Sequence, residues 1–213
     1  MKKSALFGAV ALLLSGQASA DYIDTVTGAD MAGMEVTVTF ADLSSETLVW
    51  NTLTSDPSVP YMEGYSGGVF GSGWSLTQQG DTISNVSPSG DVLGAWTFSF
   101  DGSMSIASVY IDAYVADIVF DTEAGDASGN GSGAGREFVD DGSYDLTAMF
   151  DMNIEDELFG TLMVSEASGA VWDTAGSFDF AIDTDMVAVP APATIGIFAA
   201  TLGFMGFNRR KKA

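Results

Sequence analysis

The chain has 213 residues, with 7 Lys and Arg against 29 Asp and Glu, and it contains neither His nor Cys. Those absences exclude a Ser-His-Asp or Cys-His nucleophile and any disulfide framework, and the excess negative charge repels nucleic acid and anionic headgroups. At 46% hydrophobic residues, with 14 Phe, 6 Tyr and 4 Trp, the chain is nevertheless too apolar for a disordered acidic tail, so a folded core is expected.

The N-terminal stretch, MKKSALFGAVALLLSGQASA, has the three parts of a secretory signal peptide. Lys2 and Lys3 form a charged start, Ala5 to Leu14 form an apolar run, and Ala18-Ser19-Ala20 places small residues before a cleavage point. The apolar run is short for a membrane anchor. Cleavage after Ala20 is expected, giving a mature chain that starts at Asp21.

All the acidic residues fall between Asp21 and Asp185, where Arg136 is the one basic residue, so one Arg against 29 acids gives that stretch a net charge of −28. Here the hydrophobic pattern has a period of two. Val36, Val38 and Phe40 alternate with Glu35, Thr37 and Thr39, and Trp96, Phe98 and Phe100 alternate with Ala95, Thr97 and Ser99. The same alternation runs through Tyr144, Leu146, Ala148 and Phe150, and again through Phe178, Phe180 and Ile182. Such runs predict half-buried strands, wet and acidic on their other face. Val109 to Val115 and Leu158 to Val164 are apolar on both faces and predict central strands.

Turn signals separate the runs at Asp56-Pro57, Gly67-Gly68, Gly71-Ser72-Gly73, Gly80-Asp81, Ser89-Gly90, Asp101-Gly102 and Asp141-Gly142. About nine or ten short strands with this punctuation predict an all-β fold, an antiparallel β-sandwich of jelly-roll or immunoglobulin-like type. Asp121 to Gly135, DTEAGDASGNGSGAG, reads as a flexible surface loop, with Arg136 at its end beside several carboxylates. Asp183 and Asp185, at the last strand, read as solubilising.

The tail reverses the charge. From Val187 to Phe207 no residue is charged, a length that can span a hydrocarbon core of about 30 Å. Arg209, Arg210, Lys211 and Lys212 follow, and basic residues stay on the cytoplasmic side, which leaves the acidic domain outside. Val189-Pro190-Ala191-Pro192-Ala193 precedes the apolar run. Its prolines keep the approach extended and poor in backbone donors.

Motif, Gly-rich apolar helix and basic cluster, in that order, resemble the sorting signal of PEP-CTERM proteins. The usual motif there is Pro-Glu-Pro, and Ala191 stands in place of the Glu. The resemblance implies a C-terminal transmembrane sorting helix handled by an exosortase, a membrane transpeptidase-like enzyme. It implies a passage through the inner membrane and a final place at the cell surface or in an extracellular polysaccharide matrix such as a biofilm. The expected organisation is a signal peptide at 1–20, an acidic β-sandwich at 21–186 and a sorting signal at 187–213. An ordinary C-terminal anchor remains the alternative for the last of these.

No constellation singles out a catalytic centre, and an enzyme is not expected. There are many carboxylates, and none stands out as a glycosidase pair. No Gly-rich loop carries the Lys of a phosphate site. No cofactor is required. Asp121, Glu123 and Asp126 could begin a calcium site, although the spacing is not that of an EF-hand, and a solvated loop fits as well. Trp50, Tyr61, Tyr65, Phe70 and Trp74 crowd one region, where they either stack on sugar rings or fill the core. Two functions from different classes therefore stand: a structural or interaction protein of the matrix, and a carbohydrate-binding or calcium-dependent adhesin module.

Overall fold

The computed structural model describes residues 22–23, 26–53, 66–82, 95–122, 135–155 and 157–187. The described residues belong to one compact unit, Tyr22–Val187. Its secondary structure is β throughout, apart from one short 3₁₀ turn at Tyr114–Ala116. No helix among the described residues is long and apolar enough to cross a membrane.

Two antiparallel sheets make up the unit. The first, of eight strands, contains β1 (Tyr22–Ile23), β2 (Glu35–Phe40), β3 (Ser45–Val49), β8 (Ile106–Asp112), β9 (Ile118–Asp121), β11 (Leu146–Glu155), β12 (Leu158–Glu166) and β14 (Asp183–Val187). The second, of six, contains β4 (Asn51–Thr52), β5 (Ser66–Phe70), β6 (Trp74–Gln79), β7 (Trp96–Phe100), β10 (Val139–Asp140) and β13 (Gly176–Ala181). The order in the second is β10-β13-β7-β6-β5-β4.

β12 is the spine of the first sheet. It pairs with β11, with β8 through Thr161–Ser165, and with β9 through Leu158 and Phe159. Ile111 lies opposite Leu162 and Phe120 opposite Phe159, so the chain advances nine residues while β12 advances three. The surplus forms the 3₁₀ turn between β8 and β9, closed by Asp117 in the left-handed region at φ 58°. The run Val109 to Val115 is thus not one central strand. It stops at Asp112, and Val115 is 56% exposed.

Twice the chain passes from one sheet to the other across a single residue. β3 hands over to β4 at Trp50, and β13 to β14 at Ile182, and both of these residues are buried. These interruptions, together with three strands of only two residues, explain why fourteen strands are found among the described residues where nine or ten were expected.

The sheets share one hydrophobic core, dense in aromatic rings. Trp96 stacks on Phe180 at 5.8 Å, meets Trp50 at 5.3 Å, and reaches Phe120 of the opposite sheet at 6.3 Å. Trp172 packs on Phe178 at 4.9 Å and on Phe98 at 5.6 Å. The period-two alternation drives this: Val36, Val38 and Phe40 of β2 are buried, as are Trp96, Phe98 and Phe100 of β7. Fully burying each such side chain contributes about 1.5–3 kcal/mol.

Gly67-Gly68 is not a turn. Both glycines lie inside β5, paired with Gln78 and Thr77 of β6. A Cβ on Gly67 would collide with the carbonyl of Gly28 and the indole nitrogen of Trp50, so these positions are glycine for close approach.

Candidate functional site

The six-stranded sheet turns Trp74, Leu76, Trp96, Phe98, Phe178 and Phe180 inward. Its opposite face therefore carries the residues between them. Ser75, Ser99 and Ser177 lie in register across β6, β7 and β13, and Thr77, Thr97 and Asp179 form the next row. Adjacent strands are about 4.8 Å apart, which fixes the spacing of these hydroxyls. At the edge of the serine row stands Phe70, paired with Ser75 and 64% exposed. A shallow cavity of about 380 Å³ opens there, lined by Phe70, Gly71, Ser75, Ser99 and Asp101 among others.

The hairpin that presents Phe70 is held from the other sheet. Its turn, Gly71-Ser72-Gly73, has Gly73 at φ 82°. Glu46 of β3 accepts hydrogen bonds from the Ser72 amide at 2.9 Å, the Ser72 hydroxyl at 3.1 Å and the Trp74 indole N–H at 2.6 Å. These donors, the Ser72 amide foremost, hold the Glu46 carboxyl below its ordinary value and keep it ionised. Asp101 is also held low, by the Ser103 hydroxyl and then by its amide, which lies 2.8 Å away. The cavity rim is thus anionic while its floor is neutral hydroxyl and aromatic.

A second group of polar residues lies where β14 meets β9. Asp183 is opposite Asp121, Thr184 opposite Phe120, and Asp185 opposite Val119. The pleat puts Asp121, Asp183 and Asp185 on one face. All three are buried, at 1%, 0% and 0% exposure. They are not solubilising, because both faces of the chain are covered where it changes sheets. Thr82 donates its hydroxyl to Asp183 Oδ1 at 3.0 Å, and the Thr184 amide lies 3.3 Å from the same Thr82 oxygen. Asp183 Oδ2 is buried without a hydrogen-bond partner among the described residues. Burial first, then the charge of Asp185, pushes the Asp183 carboxyl up to about 8, with Asp121 adding to the rise and the Thr82 hydrogen bond opposing it.

The structure separates the five clustered aromatics. Trp50 is 1% exposed, its indole N–H donating to the Gly28 carbonyl at 2.7 Å, and Trp74 is 4% exposed. Neither offers a ring face to a ligand, while Phe70 does. Tyr61 and Tyr65 lie outside the described residues, as do Ala18, Ala20 and Asp21 of the cleavage point. So do Val189, Pro190, Ala191, Pro192 and Ala193 of the sorting motif and Arg209, Arg210, Lys211 and Lys212 of the basic cluster. Of the calcium candidates, Asp121 belongs to β9 rather than to a loop, and Glu123 and Asp126 lie outside the described residues. Among the described residues no group of three or more His, Cys, Asp or Glu is placed to hold a metal ion.

Sequence reading missed both the hydroxyl rows and the buried carboxylates. The rows needed the register of three strands. The carboxylates had a faint signal in FAIDTD, where Ala181-Ile182 breaks the alternation. Comparison with protein-family models, with curated proteins and with solved structures finds no match.

Proposed function

We propose that the chain is an exported bacterial protein of the cell surface or extracellular matrix, sorted through its C-terminal segment and cleaved there by an exosortase-type enzyme. The observation that supports this reading is the pairing of the first strand with the last. Tyr22 lies opposite Val187 and Ile23 opposite Met186, so the compact unit begins and ends on adjacent strands. Both candidate addresses can then be removed without taking a strand from the core. A sandwich of jelly-roll or immunoglobulin-like type suits a structural or interaction role in the matrix, since its outer faces stay available for contacts.

The test is the intact mass of the protein recovered from its own cells, with membrane and medium analysed separately. A species that starts at Asp21 and ends near Pro192 is expected. A membrane-bound species retaining Arg209 to Ala213 would make the tail a permanent anchor and overturn the sorting reading.

Carbohydrate binding is the second reading, and the exposed Phe70 beside the serine row favours it. An aromatic ring stacks on the apolar face of a sugar, and hydroxyls at fixed spacing bond to a polyol. Asp101 at the rim selects against acidic glycans, so the ligand class is a neutral polysaccharide. Retention on an insoluble neutral glucan, lost by about tenfold in Phe70→Ala and unaffected by calcium, is the expected outcome. Equal retention of the variant would remove this site from consideration.

A further inference from the structure

We propose that the carboxylates of Asp121, Asp183 and Asp185 form a proton-operated latch on β14, closed while Asp183 carries a proton and opened when that proton is lost.

Register, burial and charge count carry the proposal. Asp183 and Asp121 are directly opposed on antiparallel strands, where like charges are destabilising. Asp185 lies two residues along the same face. None of the three is more than 1% exposed, so water cannot screen them as it would on the surface.

Among the described residues, Glu157 and Arg136 also reach this end of the sheet through their backbones. The Glu157 carbonyl accepts from the Thr122 amide at 3.3 Å, and the Arg136 amide donates to the Asp121 carbonyl at 3.1 Å. Arg136 is the one basic side chain between Asp21 and Asp185, so that stretch supplies a single guanidinium to offset its carboxyl groups. A proton on Asp183 removes one negative charge at the point of closest opposition. It also gives a buried carboxyl the O–H form, which is the cheaper one to hold dry. When the proton passes to solvent, Asp183 Oδ2 becomes a buried anionic oxygen without a donor among the described residues.

β14 is the element free to respond. It is bound on one side by β9 and on the other by the two-residue β1, with Val187 N–H on the Asp117 carbonyl at 2.8 Å. Thr82 reaches Asp183 and Thr184 from beyond the end of β1 and is a further clasp. Opening the latch frees the strand that leads into residues 188–213. That consequence for access to the tail rests on the sorting reading, whereas the latch does not.

Amide hydrogen exchange on the full chain, corrected for intrinsic rates, tests it at pH 6 and pH 9. Protection of β14 and β1 is expected to fall about tenfold or more at pH 9 while β7 and β13 stay protected. Asp183→Asn is expected to abolish the pH dependence of β14 alone. Uniform loss of protection in all strands, or the same β14 profile in the variant, would overturn the latch. Should Asp183→Asn fail to fold, Asp121→Asn serves instead: it removes a charge that raises Asp183, so the loss of β14 protection is expected to be smaller and to level off at lower pH, and an unchanged profile would overturn the proposal. Because cleavage of the tail is not part of the readout, a failed sorting reading leaves this result intact.

Discussion

Trp50 shows how a single side chain can determine its neighbours. Its indole N–H finds the Gly28 carbonyl at 2.7 Å, and the backbone of Gly67 presses against the same nitrogen. A Cβ at Gly67 would strike both partners, and neither is the flexible end of a long side chain. Gly67→Ala is therefore expected to destabilise the domain by about 3 kcal/mol, the upper end of ordinary overpacking. A urea unfolding midpoint that does not move would mean that β5 is not seated on Trp50. Glu46 makes the same point with a charge. Three donors converge on its carboxylate, so a half-buried acid in an otherwise repulsive surface becomes the anchor of the hairpin that carries Phe70.

Among the elements, the period-two runs were legible because they obey one rule, a buried face and a wet face. β2, β7 and β13 follow it, and the expected alternation reappears in their burial, while in β11 Leu146, Ala148 and Phe150 pack against the core only partly buried. The central place of Leu158 to Val164 was legible for a related reason: β12 is flanked on both edges and needs apolar residues on both faces. What escaped were the strands written in Ser, Thr, Gly and Gln. β5 and β6 read SGGVF and WSLTQQ, and local composition there says turn rather than strand. Only their pairing partners, distant in sequence, make them strands. Asp183 and Asp185 escaped because an acid is read as solvated unless the fold covers it. The corner where β13 becomes β14 does so, and nothing local announces that corner.

At the scale of the molecule, stability is bounded on two sides by carboxyl groups of opposite behaviour. Asp42, Glu46 and Asp101 titrate below their ordinary values, so the stability they add is present above those values and is lost as the pH falls through the lowered ones. Asp183 titrates upward from 3.8 to about 8, so its contribution is full below its ordinary value and is lost as the pH rises through 8. The expected profile is a maximum in acidic solution with a decline toward alkaline pH that is complete by about pH 8. Asp183→Asn should flatten the decline and leave the acid limb unchanged, as read from urea midpoints at pH 5, 7 and 9. An alkaline decline identical in the variant would assign it to the general repulsion of the acidic surface.

The adjacency of β1 and β14 also has a mechanical consequence. Should the chain be tethered through residues beyond Val187, tension enters at the last strand and meets the Val187–Asp117 hydrogen bond first. Because Tyr22 sits opposite Val187, the β1–β14 ladder is loaded from its end and its rungs part in succession rather than together. The first two rungs hold only a two-residue strand. Behind them, along β9, lie Asp185 and Asp183, whose exposure to water is favourable once they are charged. Under alkaline load the domain would thus peel from its tethered strand, while its aromatic interior remained intact.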